Sequence, residues 1–492
     1  MLKEKKEYLI KRLLEILPGF ISWNLILFPI WGALVMPMVV AYFIILFDVF
    51  WLYKSLSFAF FGTISHLRIQ ASQKMDWLGE LKFFPGWKKV QHLVIICTYK
   101  EPLRVLERTL EGLLSQTLPK DQINIVIGFE KREMGWQEKA KILKKKYSSK
   151  FNNFLVSEHV LVPGETAGKH SNARAGILLA KKKLIDTKKI NPDYCVVSSC
   201  DADHVYHPNY FSNLTYNFLD SPYRYNRFWQ SAIVYYNNYW SLPALSRIAN
   251  TFGTIWNMAK LSRTDSLLNV ASYSLSFRLL DSIDFWDPDV IPEDWHMFFK
   301  AFFLSKGKVE VEPIFLPLSA DAAESTTVTK TIKNYYEQLK RWAWGVSDTP
   351  YILKNYFSSK DIPFLQKTIR TFRFLEDHLL WPVNWFIITL GVNIPTLVNK
   401  NFSRTAIGFN LSKMSSLILT ICLIPLLVII VINSKHKPPR PKEVSKLRSL
   451  LLPLEFILMP ISGLIFGSLP GLDAHTRLML GKYIEYRVTE KV

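Results

Sequence analysis

The stretch Tyr194-Cys195-Val196-Val197-Ser198-Ser199-Cys200-Asp201-Ala202-Asp203-His204 opens as a short apolar run rich in β-branched residues and ends in two carboxylates two positions apart. A run of this length and composition reads as a buried strand, here over 194–199. Comparable runs stand upstream at 92–98, 123–129 and 154–160, and the segments 103–114 and 138–146 between them carry helical periodicity. Strand alternating with helix predicts an α/β fold with a parallel sheet, whose ligands bind beyond the carboxyl ends of the strands.

Those ends are polar. The first predicted strand finishes in Thr98-Tyr99-Lys100-Glu101-Pro102 and the second in Glu130-Lys131-Arg132-Glu133. Asp201 and Asp203, at the fourth, are placed to share one hard cation that would neutralise a diphosphate. The bare pattern is weak, since a second copy, Asp287-Pro288-Asp289, occurs in the same chain; its setting at a strand end is what singles out the first. Glu293-Asp294 opens a helical run to Phe303. Acids at a helix start complement the dipole, and in a partly closed pocket one of them can serve as a general base. Further on, Gln338, Arg341 and Trp342 fall three and four residues apart on one helical face, offering a guanidinium for phosphate and an indole for a sugar or the membrane interface. Trp240, Trp256, Trp286, Trp295 and Trp344 are candidates for stacking on sugars or for packing in the core.

Length and composition set the surroundings. The 492 residues exceed one ordinary core, and 14% aromatic residues is a heavy load for a soluble protein. Residues 16–47 carry no charge or histidine, which is too long for one span of about 20 residues. Two helices are predicted, 19–35 and 38–60, turning near Pro37 and interrupted only by Asp48 and Lys54; the stretch is too long for a cleaved signal peptide and is expected to stay. Two further spans are predicted at 379–399 and 414–434. A last apolar stretch, 456–472, is broken by Pro460, Gly463, Gly467 and Pro470 and is compatible with a span or a re-entrant hairpin. The organisation expected is a membrane region over 1–65, a soluble domain over 66–377 and a second membrane region over 378–492.

The net charge of +20 concentrates beside the spans, at Lys3, Lys5, Lys6, Lys11 and Arg12 and again at Lys435, Lys437, Arg440, Lys442, Lys446 and Arg448, so both ends read as cytoplasmic. An even number of helices before residue 66 puts the soluble domain on the same, cytosolic side. No nucleic-acid motif accompanies the charge, which excludes nucleic acid as the expected partner in favour of membrane lipids and phosphorylated ligands. Cys97, Cys195, Cys200 and Cys422 have neither zinc spacing nor the pattern of a disulfide framework.

Taken in order, Thr98-Tyr99-Lys100-Glu101-Pro102, Gly168-Lys169 with Ser171-Asn172, Asp201-Ala202-Asp203-His204, Glu293-Asp294 and Gln338 with Arg341-Trp342, followed by apolar spans, resemble the membrane-embedded family 2 glycosyltransferases, the group that includes cellulose, hyaluronan, chitin and mannan synthases. The resemblance covers about residues 90–350 together with the membrane layout. It implies a GT-A-type, Rossmann-like cytosolic domain between transmembrane helices, in an integral protein of the cell (inner or plasma) membrane engaged in polysaccharide biosynthesis. It implies an inverting transfer of sugar from a nucleotide-diphosphate sugar to a growing glycan, with a non-processive enzyme acting on a polyprenyl-phosphate or other lipid-linked acceptor as the alternative.

By position, the resemblance assigns Thr98, Tyr99, Glu101, Lys169, Asn172, Asp201 and Arg341 to the donor. Asp201 and Asp203 would hold a divalent cation, Mg²⁺ or Mn²⁺. Asp294 would be the catalytic base, with Glu293 orienting the helix start or the acceptor, and Gln338 and Trp342 would meet the acceptor. The family usually places an Asp after the second strand to contact the base; Glu130 stands here instead, with a longer reach. The tract Gly168-Lys169-His170-Ser171-Asn172 also differs from the form common in cellulose synthases, so that substrate is not implied. The helix around 333–344 is expected along the cytosolic face of the membrane.

Overall fold

The computed structural model of the protein describes residues 2–485, with side chains from residue 4; Lys3 and the end of the expected C-terminal membrane region, 486–492, lie outside the described side chains. The chain opens with helix α1 (Leu2–Val35) and helix α2 (Pro37–Lys74). Met36 leaves helical geometry between them, and Pro37 begins α2 at a position where its missing N–H costs no hydrogen bond. Both helices run well past the predicted spans, and α2 continues beyond residue 65, the boundary expected for the soluble domain.

That domain is built on β1 (Gln91–Thr98), α3 (Leu103–Leu114), β2 (Ile123–Glu130), α4 (Trp136–Tyr147), β3 (Asn153–His159), α5 (Lys169–Ala180), β4 (Cys195–Asp201) and β5 (Val205–Tyr206). It continues with β6 (Arg227–Val234), α6 (Ala244–Leu261), β7 (Tyr273–Ser276), α7 (Glu293–Leu304), β8 (Glu310–Ser319) and α8 (Val328–Ala343). The strands form one sheet in the order β3-β2-β1-β4-β7-β6-β8-β5. The four predicted strands are present and parallel to one another. The expectation of a wholly parallel sheet is corrected: β7 runs antiparallel to both β4 and β6, and β5 antiparallel to β8, so the sheet is mixed. β7 is a four-residue strand too short to announce its direction in sequence.

Register decides where the chemistry sits. Cys97 pairs with Gly128 on one side and with Asp201 on the other, so the ends of β1, β2 and β4 form a single edge. Along β1, Leu93 and Ile95 enter one apolar core while Val94 and Ile96 enter the other, as the two-residue period of a doubly covered strand requires.

Beyond α8 come α9 (Phe364–Phe386), α10 (Ala406–Ile421), α11 (Leu423–His436) and α12 (Leu469–Met479). Four continuous helices are long and apolar enough to cross a membrane: 4–35, 37–74, 406–436 and 446–479. Exposed Phe20, Leu46, Phe60, Leu417, Leu427 and Ile457 give them apolar outer faces. The last apolar stretch therefore lies inside a helix long enough to span, although it passes through tighter and wider turns at Leu452–Leu458 and Gly463–Ser468. The predicted span at 379–399 is corrected. Its residues are divided among the end of α9, a wide helical turn at Ile387–Gly391 and a short helix at Ile394–Val398, and they are not one of the four. Lys54, which interrupts the apolar run of α2, lies 2.6 Å from Glu376 on α9, and Arg373 joins the pair at 2.9 Å.

Candidate active site

Each predicted site residue borders one cavity of about 730 Å³ that begins at the polar sheet edge and continues between helices long and apolar enough to cross a membrane. At the edge, the Thr98 hydroxyl and the Tyr99 N–H both donate to Glu101, at 2.8 and 2.5 Å. This carboxylate closes a tight turn in which Lys100 takes a φ of 69°, the left-handed region that a residue with a side chain enters only when its surroundings hold it there. The guanidinium of Arg132 stacks 4.3 Å over the Tyr99 ring. Glu130 is engaged from both sides, by His159 at 2.9 Å and Arg132 at 3.2 Å. Asn172 borders the cavity while its side-chain amide is tied to the sheet, donating to the Gly128 carbonyl at 3.0 Å. A Cβ on Gly128 would fall 2.1 Å from the Asn172 side-chain oxygen, so this approach requires glycine.

Lys169, the first residue of α5, lies 2.6 Å from Asp201 and 3.4 Å from Glu293 and also donates to the Ala271 carbonyl. Burial opposes its charge, but Asp201 and Glu293 outweigh burial and hold the ammonium well above the ordinary lysine value. Ala271 takes a left-handed φ of 48°, and its N–H donates to Asp294 at 2.9 Å. The side-chain amide of Asn269 donates to the Asp294 carbonyl at 2.6 Å. Burial first, then the adjacent charge of Glu293, push the Asp294 carboxyl well above the usual carboxylate range, with Lys169 opposing. A carboxylate displaced in this direction is a stronger base.

Asp201, Asp203 and His204 place one ligand atom each within 4.8 Å of one another. Two carboxylate oxygens and an imidazole suit a hard or borderline divalent cation. Asp203 is braced by the Asp321 N–H at 2.9 Å, and His204 by the Ser272 hydroxyl at 2.7 Å. Asp321 in turn meets Arg108 at 2.6 Å.

On α8, Gln338, Arg341 and Trp342 all border the cavity. The Trp342 ring lies 6.2 Å from that of Tyr235, the residue that follows β6. The opposite side of α8 meets α12, with Lys340 3.4 Å and Tyr336 3.4 Å from Asp473. Of the candidate tryptophans, Trp256 and Trp295 border the cavity. Trp286 is fully buried and donates to the Tyr273 hydroxyl, while Trp240 donates to the Pro438 carbonyl and Trp344 is packed in the core.

Sequence reasoning missed Tyr235, Asp321 and Arg132 and did not count His204 as a ligand. His204 stood beside the two aspartates and was available to be read. Asp321 and Tyr235 follow strands that the sequence did not announce, so nothing marked them. The other Asp-x-Asp string is structural at Asp287, which pairs with Lys300 at 2.6 Å and His296 at 2.9 Å.

No curated protein matches the chain. Among solved structures, it is similar to the mannosyltransferase PcManGT from Pyrobaculum calidifontis in complex with GDP-Man and Mn²⁺, with 13% identity over 80% of this chain and 100% of that one and a TM-score of 0.46. It is also similar to S. aureus TarS 1-349 in complex with UDP-GlcNAc, with 13% identity over 81% of this chain and 93% of that one and a TM-score of 0.36. Residues 196–433, from β4 into α11, match the family described as glycosyl transferase family group 2, and this match supports a family 2 glycosyltransferase.

Proposed function

We propose that the chain is a membrane-bound inverting glycosyltransferase, with a GT-A-type cytosolic domain over 66–377, that moves a sugar from a nucleotide-diphosphate sugar to a growing polysaccharide or glycan. The observation that carries this reading is the continuity of the cavity, which joins Lys169, Asp201 and Asp203 at one end to Trp51, Trp381 and Trp385 among the helices of the membrane region at the other. A charged end suits a diphosphate, and an indole-lined end suits a sugar chain or the apolar body of a lipid.

In this reading Asp201, Asp203 and His204 hold a divalent cation, Mg²⁺ or Mn²⁺, whose chemistry when bound is to neutralise charge on the leaving diphosphate. Lys169 and Arg341 add fixed positive charge around the same group, and Tyr99 with Arg132 flanks the nucleotide. Asp294 takes the proton of the attacking hydroxyl, with its carboxylate oriented by the Ala271 N–H. Gln338 and Trp342 line the acceptor side. Basic residues flanking the apolar helices orient both ends and the catalytic domain toward the cytosol.

The test is the purified protein in lipid, screened against a panel of nucleotide sugars with Mg²⁺ or Mn²⁺, scoring free nucleoside diphosphate and product size. Long products identify a polymerase, and a single addition to a polyprenyl phosphate identifies the lipid-linked alternative. Failure to release nucleoside diphosphate from any donor would overturn the reading.

A further inference from the structure

We infer that Arg132 selects guanine, so that the donor is a GDP-sugar; the inference rests on the transferase reading above and names the nucleotide within it. Arg132 stands two residues beyond the end of β2, borders the cavity and keeps a side chain 37% exposed. Its Nε donates to Glu130 at 3.2 Å, and among the described residues Glu130 is the only hydrogen-bond partner of the guanidinium. The Nη1 and Nη2 edge is left for a ligand.

Topology says which part of the ligand arrives there. Glu130 ends β2 and Asp201 ends β4, with β1 between them, so at the ordinary spacing of paired strands the two ends stand about 10 Å apart. Asp294 lies on the other side of Asp201: it is held by Ala271, just before β7, the neighbour of β4 away from β1. With the diphosphate at Asp201 and Lys169, the transferred sugar points toward Asp294 and the ribose and base point toward β2. There the guanidinium lies 4.3 Å over the Tyr99 ring, and the bond to Glu130 fixes its rotation.

The acids at this end are engaged by the protein. Glu101 accepts from Thr98 and Tyr99, and Glu130, whose side chain is 3% exposed, meets His159 as well as Arg132. The imide N–H of uracil calls for an acceptor, whereas the Arg132 fork calls for two adjacent acceptors on the base. Guanine presents them, O6 beside N7. Adenine sets an amino group beside N7, cytosine offers an amino group, and uracil a single oxygen at the same edge.

The test uses the full chain in lipid nanodiscs with Mn²⁺ and calorimetric titration of GDP, UDP, ADP and CDP, which needs no acceptor. GDP is expected to bind about tenfold to a hundredfold more tightly than the others, the discrimination of one bidentate pair. Inosine diphosphate keeps O6 and N7 and is expected to match GDP. In 7-deaza-GDP a C–H replaces N7, and binding is expected to weaken about tenfold. These two ligands probe the contact on the unaltered protein, so the decision does not depend on a variant that folds.

Arg132→Lys keeps the charge and loses the fork, and is expected to remove most of the preference for GDP while UDP affinity stays close to wild type. An equal loss for GDP and UDP, in a variant that melts like the wild type, would assign Arg132 to the diphosphate and overturn the inference. Equal or tighter binding of another nucleoside diphosphate by the wild type would overturn it too. So would weakened binding of inosine diphosphate with 7-deaza-GDP unaffected, which places the contact on the Watson–Crick edge. The transferase reading survives each of these results. No binding of any nucleoside diphosphate would overturn both.

Discussion

The ammonium of Lys169 lies 2.6 Å from the carboxylate of Asp201, and the same nitrogen reaches Glu293 at 3.4 Å, so one cation joins the end of β4 to the start of α7. Lys169 also holds down the pKa of Asp294, against burial and Glu293. Lys169→Met keeps the length of the stem and removes the charge. Turnover is expected to fall by about 10²-fold, as for loss of one electrostatic contact to a reacting site. The sign of the pH effect follows: a base works only when deprotonated, Lys169 lowers its pKa, and removing Lys169 moves the acidic limb of the kcat/KM profile to higher pH. A residual activity with an unmoved limb would detach Lys169 from Asp294.

Asp294→Asn preserves shape and removes basicity. It is expected to lower kcat by about 10² to 10⁴-fold, while calorimetry shows nucleotide-sugar affinity close to wild type. An Asn variant at wild-type rate would move the base elsewhere, with Glu293 the next carboxylate to examine.

On the proposed mechanism, removal of the divalent cation is expected to abolish transfer, because a leaving diphosphate accumulates more negative charge than Lys169 and Arg341 alone would neutralise. EDTA dialysis followed by Mg²⁺ or Mn²⁺ addition measures this directly. Asp203→Ala should resist rescue by either ion at concentrations that restore the wild type, and full activity of the chelated wild type would exclude the site at Asp201, Asp203 and His204.

Much of this site is legible along the chain because its pieces sit at strand ends. The apolar runs ending at Thr98 and Asp201 are buried on both faces, so β-branched composition announces them, and in-register parallel pairing then brings their polar ends together. β8 is the opposite case. It contains Pro313 and Pro317, residues that argue against an inner strand, yet it lies between β6 and β5, and its pairing with β6 slips between Ser231 and Ile233. Tertiary packing overrides the local signal there, and with the strand Asp321 is lost from view. The apolar stretch before residue 400 misleads for a related reason: composition marks it as a span, whereas a wide turn and a short helix divide it.

Arg341 borders the same cavity as Lys169 and Asp203. A guanidinium can hold a diphosphate with two parallel N–H donors, which an ammonium cannot reproduce. Arg341→Lys is therefore expected to reduce donor kcat/KM by about 10 to 100-fold despite the retained charge, the worth of one charge-assisted hydrogen bond. Steady-state kinetics across donor concentrations checks it, and wild-type behaviour would remove Arg341 from the donor site.

The start of α7 is held by a second group of charges, behind the site. His296, two residues after Asp294, lies 2.8 Å from Asp348 and 2.9 Å from Asp287, and Lys300 meets Asp287 at 2.6 Å. Burial works against the imidazolium, but Asp348 and Asp287 raise His296 to about 9 from its ordinary 6.5. Burial likewise opposes the Asp287 carboxylate, while His296 and Lys300 draw it down to about 2. A histidine raised on folding stabilises the folded state fully below its unfolded value and loses that contribution as pH climbs through its folded value. The Tm of the wild type in lipid is therefore expected to fall between about pH 6.5 and 9, while the Asp287 contribution is lost only on acidification, from about 3.8 down through 2. His296→Gln removes the titrating cation and leaves Asp348 buried without it, so its Tm should start lower at pH 6.5 and fall less over the alkaline interval. The network fixes the helix that presents Asp294, so the same variant is expected to lower kcat even at pH 6.5. A His296→Gln protein whose Tm falls as steeply as the wild type would show that another group controls the alkaline loss.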